Sequence, residues 1–139
     1  MEKDELIIFC DGGARGNPGP AGAGIVIKSS KKTVKFRKFL GEKTNNQAEY
    51  EAILLALKKI EDEFPHIKTI EFYLDSELAV KQLRGDYKIK NESLGKSLIS
   101  IRNLIIVRDL LVDFKHISRE KNKEADKLVN RAIDEGLAE

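Results

Sequence analysis

Two apolar runs flank a loop almost bare of side chains in "IIFCDGGARGNPGPAGAGIVI", residues 7–27. The first run is unbroken from residue 6 to residue 10, which suits a central strand covered on both faces. It leads straight into one carboxylate, Asp11. The second run, residues 22–27, predicts another strand, with glycines where something approaches closely. A chain that begins this way must build a sheet with its first strand inside it, and that strand is expected to end on an acid.

The rest of the chain extends the sheet. Residues 33–40 alternate Val34, Phe36 and Lys38 against Lys35, Arg37 and Phe39, as an edge-like third strand does. Three strands with short connections make an antiparallel meander. In "TNNQAEYEAILLALKKIEDE", Ala48, Ala52, Leu55, Ala56 and Lys59 fall at helical spacing, widened by Leu54, Leu57 and Ile60. Thr44 and Gln47 fit a capping box at its start, and Phe64-Pro65 ends it. A fourth strand is expected over residues 69–74, running into Asp75. A short helix over 76–83 closes near Gly85, and another helix spans 93–106. A fifth strand covers 110–117. Asn122 is expected to cap a last helix reaching about residue 135, with Gly136 as its stop. The order β-β-β-α-β-α-α-β-α implies a mixed five-stranded α/β sheet, its later strands parallel and its helices on the sheet faces.

Composition narrows the function classes. The 139 residues suit one domain, 1–139. A formal net charge of +2 permits a nucleic-acid partner without demanding one. One cysteine, Cys10, excludes a disulfide framework and a cysteine-rich zinc site, and suits a reducing cytoplasm. The charged start "MEKDE" shows no signal peptide, and no apolar run approaches the roughly 20 residues of a membrane span. Nothing in the pattern calls for a dimer, so a monomer is expected.

Asp11 and Asp75 each end a strand. If those strands are parallel neighbours, both carboxylates emerge at one sheet edge, where open α/β sheets put their sites. Glu49 and Asp126 each lie about one turn into a helix that can face the same edge. Taken singly, each acid has a plain structural reading: a turn, a cap, or an acid at a helix N-terminus. Together they form a carboxylate cluster, which is costly unless a cation compensates. Oxygen ligands without a Cys or His cluster select Mg²⁺ or Mn²⁺ over Zn²⁺. Two such ions about 4 Å apart can activate a water and stabilise a leaving oxygen, the chemistry of phosphodiester hydrolysis.

Four blocks carry these acids: "DGGARGNPGPAGAG", "TNNQAEYEAILLAL", "DSELAVKQL" and "HISREKNKEADKLVNRA". In this order they resemble the signature blocks of the ribonuclease HI family, most closely its compact bacterial and archaeal branch. The resemblance runs from residue 11 to residue 132. It implies a ribonuclease H-like fold with strand order 3-2-1-4-5, the first three strands antiparallel, and helices on both faces. It also implies an endonuclease that cuts the RNA strand of an RNA–DNA hybrid with two divalent ions, leaving a 3′-hydroxyl and a 5′-phosphate. Asp11, Glu49, Asp75 and Asp126 would be the metal-binding acids, with Asp11 bridging both ions and Glu49 close to the ribose. Gly12, Gly13 and Asn17 would let a nucleic-acid backbone approach. Thr44 would lie near a DNA phosphate and Asn45 and Asn46 in the minor groove, with Ser76 also placed against substrate.

Two auxiliary catalytic candidates remain. Counted back from Asp126, His116 falls where many relatives carry a loop histidine. It also ends the alternating stretch "VDFKHI", which predicts a partly buried imidazole. Arg119 in "SREKN" is expected to substitute for that histidine. His66 reads as surface, and Lys81, Arg84, Lys88 and Lys90 as a solvated basic face. Duplex RNA, which shares A-form shape and 2′-hydroxyls with the hybrid, is left open as a further substrate. The rival readings are another nuclease on the same sheet, transposase- or resolvase-like, and a non-catalytic nucleic-acid-binding module.

Overall fold

The computed structural model describes residues 5–138. Residues 1–4 and 139 lie outside it, and with them most of the charged N-terminal stretch. The elements run β1 (Glu5–Ala14), β2 (Gly19–Lys28), β3 (Thr33–Lys43), α1 (Asn45–Glu63), β4 (Thr69–Leu74), α2 (Glu77–Arg84), α3 (Glu92–Val107), β5 (Leu111–His116), a 3-10 turn at Arg119–Asn122, and α4 (Lys123–Leu137). The sheet order is β3-β2-β1-β4-β5. β1 pairs antiparallel with β2, and β2 with β3. β1 pairs parallel with β4, and β4 with β5. The expected order, count and mixed pairing all hold.

The two faces of β1 follow its period of two. Leu6, Ile8 and Cys10 point into a core shared with Tyr50, Ile53 and Leu57 of α1 and Ile70, Phe72 and Leu74 of β4. α1 packs on β1, β2 and α3 over this face, and α4 packs on β1, β2 and β3 over the other. Helices thus cover both faces, as a largely parallel centre requires.

Several boundaries depart from the sequence reading. β1 does not stop at Cys10. It continues through Asp11 to Ala14, because β2 keeps pairing with it as far as Ala14↔Ala21. The connecting loop is therefore only residues 15–18. The buried side of α1 is Ala48, Tyr50, Ala52, Ile53, Ala56, Leu57 and Ile60; Leu54 and Leu55 are partly buried and Lys59 lies over the Phe36 ring. β3 carries a bulge opposite Ala21/Gly22, which ends its simple alternation. β5 starts one residue late, after Asp109 turns the chain at φ 53°. Gly136 does not stop α4, which runs to Leu137; the Phe39 ring packs where a side chain at 136 would stand. Asn122 makes no side-chain cap to α4.

Candidate active site

Asp11 stands where two strands part. The parallel pairing of β1 with β4 ends at Phe9↔Tyr73, while the antiparallel pairing with β2 carries on past Asp11↔Gly24. Asp75 follows the last residue of β4 on the same edge. Two helices bring the other acids. A complete capping box fixes the start of α1: the Thr44 side chain accepts from Gln47 N–H, and the Gln47 side chain accepts from Thr44 N–H. That places Glu49 in the second turn. Asp126 lies in the first turn of α4.

Two glycines set how close these helices come. A Cβ at Gly12 would stand 2.1 Å from the Ala48 carbonyl oxygen and 2.6 Å from Glu49 N. One at Gly24 would stand 2.1 Å from the Ala125 carbonyl oxygen. No side chain fits at either place, so the helix backbones rest directly on the strands. The gap at Gly12 is filled by α1, which corrects the expectation that it opens for nucleic acid. Each glycine lies one residue from an acid-bearing step: Gly12 against Ala48-Glu49, Gly24 against Ala125-Asp126.

The four acids line one cleft of about 180 Å³, together with Arg15, Arg119 and Asn130. Asp11, Glu49, Asp75 and Ser76 also border a small hollow of about 10 Å³, at the lower limit for one water. Burial pushes the Asp11 carboxyl up to about 8, and the charges of Asp75, Asp126 and Glu49 add to it. Burial raises Glu49 to about 7, against a hydrogen bond from Ser76 and the charge of Arg119. Carboxyls held this far above their ordinary range signal a cleft short of positive charge. An all-oxygen donor set of this kind fits a hard divalent ion. Among the described residues, no three acidic, histidine or cysteine side chains stand in a ready-made metal-holding geometry; the acids ring the cleft without closing on one point.

Comparison with known proteins gives this arrangement its family. A family model described as reverse transcriptase-like matches residues 9–132. The structure of LC11-RNase H1, isolated from compost, superposes with a TM-score of 0.88 at 45% identity, covering 99% of both chains. The chain belongs to the type 1 ribonuclease H family. The RNase H1 of Halobacterium salinarum superposes with a TM-score of 0.87 at 35% identity over 94% of this chain and 98% of that one. LC11-RNase H1 has also been solved in complex with an RNA/DNA hybrid. A bifunctional protein of Mycobacterium tuberculosis is 32% identical over 135 residues, 94% of this chain and 36% of that protein. The chain thus spans about a third of the length of that curated relative. Type 1 ribonucleases H are divalent-metal-dependent nucleases.

The remaining candidates are placed on this ribonuclease H frame as follows. Asn17 Oδ1 accepts from Asn45 N–H at 3.0 Å, and Asn45 Oδ1 accepts from Ala14 N–H at 2.9 Å. The two asparagines clasp loop 15–18 to the start of α1 and both remain exposed, and among the described residues nothing accepts from their amide N–H₂ groups. Asn46 is exposed beside them, and Gly13 lines the cleft. Thr44 and Ser76 spend their oxygens as helix caps, Ser76 accepting from Ala79 N–H. His116 is exposed at the end of β5, not partly buried, and does not line the acid cleft. Its strand position puts it on the far edge of the sheet, which corrects the spacing argument. Arg119 does line the cleft and acts electrostatically on Glu49. His66 is exposed.

Two cleft residues, Arg15 and Asn130, have no counterpart in the sequence reading, and a third residue behind the cleft, Asn122, reads there only as a cap. Arg15 is tied to α4 by a 2.7 Å ion pair with Asp134 and by hydrogen bonds to Asn130. Asn130 itself lines the cleft one turn after Asp126. Asn122 is buried, and its amide donates to the Cys10 carbonyl at 2.9 Å and to Asp75 Oδ2 at 3.2 Å. From sequence, an asparagine just before a helix reads as a cap, and nothing local distinguishes one that turns inward.

Proposed function

We propose that this chain is an endonuclease that hydrolyses the RNA strand of RNA–DNA hybrids, leaving a 3′-hydroxyl and a 5′-phosphate. The observation that carries the reading is one solvent-open cleft lined by Asp11, Glu49, Asp75 and Asp126, drawn from β1, α1, the end of β4 and α4 of a ribonuclease H fold. These acids would hold two Mg²⁺ or Mn²⁺ ions. Bound there, such ions supply Lewis acidity and a water activated near neutral pH.

The chain's own groups bind and orient. The free amide N–H₂ groups of Asn17 and Asn45 offer donors to ribose and phosphate oxygens on the approach to the cleft. At the start of α1 the N–H groups of Thr44, Asn45 and Gln47 are already engaged, so a phosphate of the other strand would meet the positive end of the helix beside the exposed Asn46. Ser76 borders the hollow beside Glu49 and holds its carboxyl down against burial, and Arg119 adds the positive charge that a departing phosphate needs. All four acids come from one chain, so a monomer is the acting unit. Among the described residues, no helix is long and apolar enough to cross a membrane, and the one free thiol, Cys10, suits the cytoplasm.

Labelled hybrid, duplex RNA and a four-way DNA junction, each with Mg²⁺, Mn²⁺ or chelator, form the test. Cleavage confined to the RNA strand of the hybrid, lost in chelator, is expected. Cleavage of duplex RNA as well would widen the substrate to A-form RNA. Preference for the junction would move the chain to a resolvase-like role, and binding without cleavage would make it a binding module.

A further inference from the structure

β1 and β4 are hydrogen-bonded as far as Phe9↔Tyr73 and then separate. The fork leaves the Cys10 carbonyl, next to Asp11, without a strand partner on that side. Asn122 enters the fork from the turn before α4. It is the one buried polar side chain among the described residues, 1% exposed. Its amide nitrogen serves two acceptors, the Cys10 carbonyl and Asp75 Oδ2. Its Oδ1 is buried with no partner.

That idle oxygen is informative. A buried acceptor left unpaired costs about 1–3 kcal/mol. Flipping the amide would not recover it, because Oδ1 would then face two other acceptors. The residue is thus oriented by what its N–H₂ group serves. It makes no cap to α4. One of its hydrogens closes the fork, and the other holds one oxygen of Asp75 while the second oxygen stays free.

We infer that Asn122 is a positioning residue: it fixes the Asp75 carboxylate relative to Asp11, so that the two acids at the strand fork present oxygens at a set separation to a divalent ion. The inference rests on the nuclease reading of this cleft. Residues that orient metal-binding carboxylates typically alter metal affinity or activity by about 10–100-fold when removed.

The test is a double-mutant cycle read by Mn²⁺ binding in calorimetry, with turnover on hybrid as a second readout. Asn122→Ala is expected to weaken Mn²⁺ binding and lower kcat by about 10–100-fold, with KM for hybrid within about twofold. Added to Asp75→Asn, it is expected to cost no further Mn²⁺ affinity, since its effect passes through Asp75. Unchanged Mn²⁺ affinity in Asn122→Ala, or losses that simply add in the double variant, would overturn the inference. A wild-type chain that binds Mn²⁺ but cuts no hybrid would defeat the nuclease reading instead, leaving the cycle interpretable. Should Asn122→Ala fail to fold, the wild-type side-chain amide carries the test. Its ¹H–¹⁵N signals must move on Mg²⁺ addition and in Asp75→Asn; an amide unmoved by saturating Mg²⁺ overturns the inference.

Discussion

Cys10 and Asp11 are consecutive in β1, yet they face opposite environments. Cys10 points to the side closed by α1, where it is 1% exposed and its thiol donates weakly to the Ala52 carbonyl. Burial, with the charge of Asp11 added, raises its pKa far above the ordinary range and keeps it a thiol. Asp11 points to the side crossed by α4, where Asp126 of that helix lines the same cleft and its charge raises the Asp11 carboxyl. The α1 side is a closed apolar core. The α4 side is covered only over β1, β2 and β3, and beyond the helix it leaves Ile7 at 39% exposure and stacks Phe9 on Tyr73. Burial raises both groups, but to different ends. A neutral thiol is at rest in a dry core, whereas a carboxyl pushed to about 8 beside three others is a demand for positive charge.

Substitutions on the two sides should separate most widely in turnover. Asp11→Asn is expected to lower hybrid cleavage by about 10³-fold or more, the scale of removing a main electrostatic contribution. The same change removes the cost of burying an ionisable carboxyl and should raise the metal-free melting temperature. Cys10→Ala should do the reverse, keeping activity within about twofold while lowering the melting temperature. Equal activity in Asp11→Asn would break the comparison outright.

The glycine contacts provide the next largest effect. Gly24→Ala forces α4 off the sheet and should destabilise by about 1–3 kcal/mol, read by denaturant unfolding. Because Ala125 adjoins Asp126, activity should fall further than the lost stability alone explains. A variant with native stability and full activity would show that α4 tolerates a looser seat.

Metal-free stability sharpens the comparison through pH. The unfolded chain releases the Asp11 and Glu49 protons near pH 4, while the folded chain keeps them to about 8 and about 7. Over that window the folded state binds more protons, so stability should fall as pH rises from about 5 to about 8. Mg²⁺ should flatten the slope by taking the place of those protons. Chemical denaturation at four or five pH values, with and without Mg²⁺, measures it; a flat metal-free profile would mean that the acids are better solvated than the cleft implies.

Smaller effects are expected from the auxiliary candidates. Arg119→Ala should lower kcat by about tenfold, and His116→Ala by less than twofold, because only Arg119 lines the cleft. The reverse order would return the proton-handling role to the histidine. Smallest of all, Cys10 in the folded protein should react with a thiol reagent far more slowly than in denaturant.

Much of this is legible in the sequence. Unbroken apolar runs, helical spacing and a Thr44–Gln47 capping box are local signals, and they led to the right elements in the right order. The four acids could be singled out because each sits where a strand or helix terminus meets the expected sheet edge. The errors share a cause. β1 ran past Cys10 because its partner β2 kept bonding to it, and a strand's end is decided by its neighbour. Asn122 and Gly136 carry ordinary cap signals, and packing overruled both: one turned inward to the β1–β4 fork, and the other received the Phe39 ring. His116 had the right spacing from Asp126 along the chain and the wrong side of the sheet in space.

The sequence by itself determined the elements, their order, the five-stranded mixed sheet, and which carboxylates are available for a common site. Those properties depend on short-range periodicity and on turn and cap chemistry, which neighbouring residues settle among themselves. Only the tertiary structure decided how close the acids come, which cation stands beside them and which asparagine holds Asp75. These depend on a helix backbone resting on Gly12 and Gly24, and on two strands separating after Phe9. Contacts between residues some 40 to 110 positions apart leave no periodic trace along the chain.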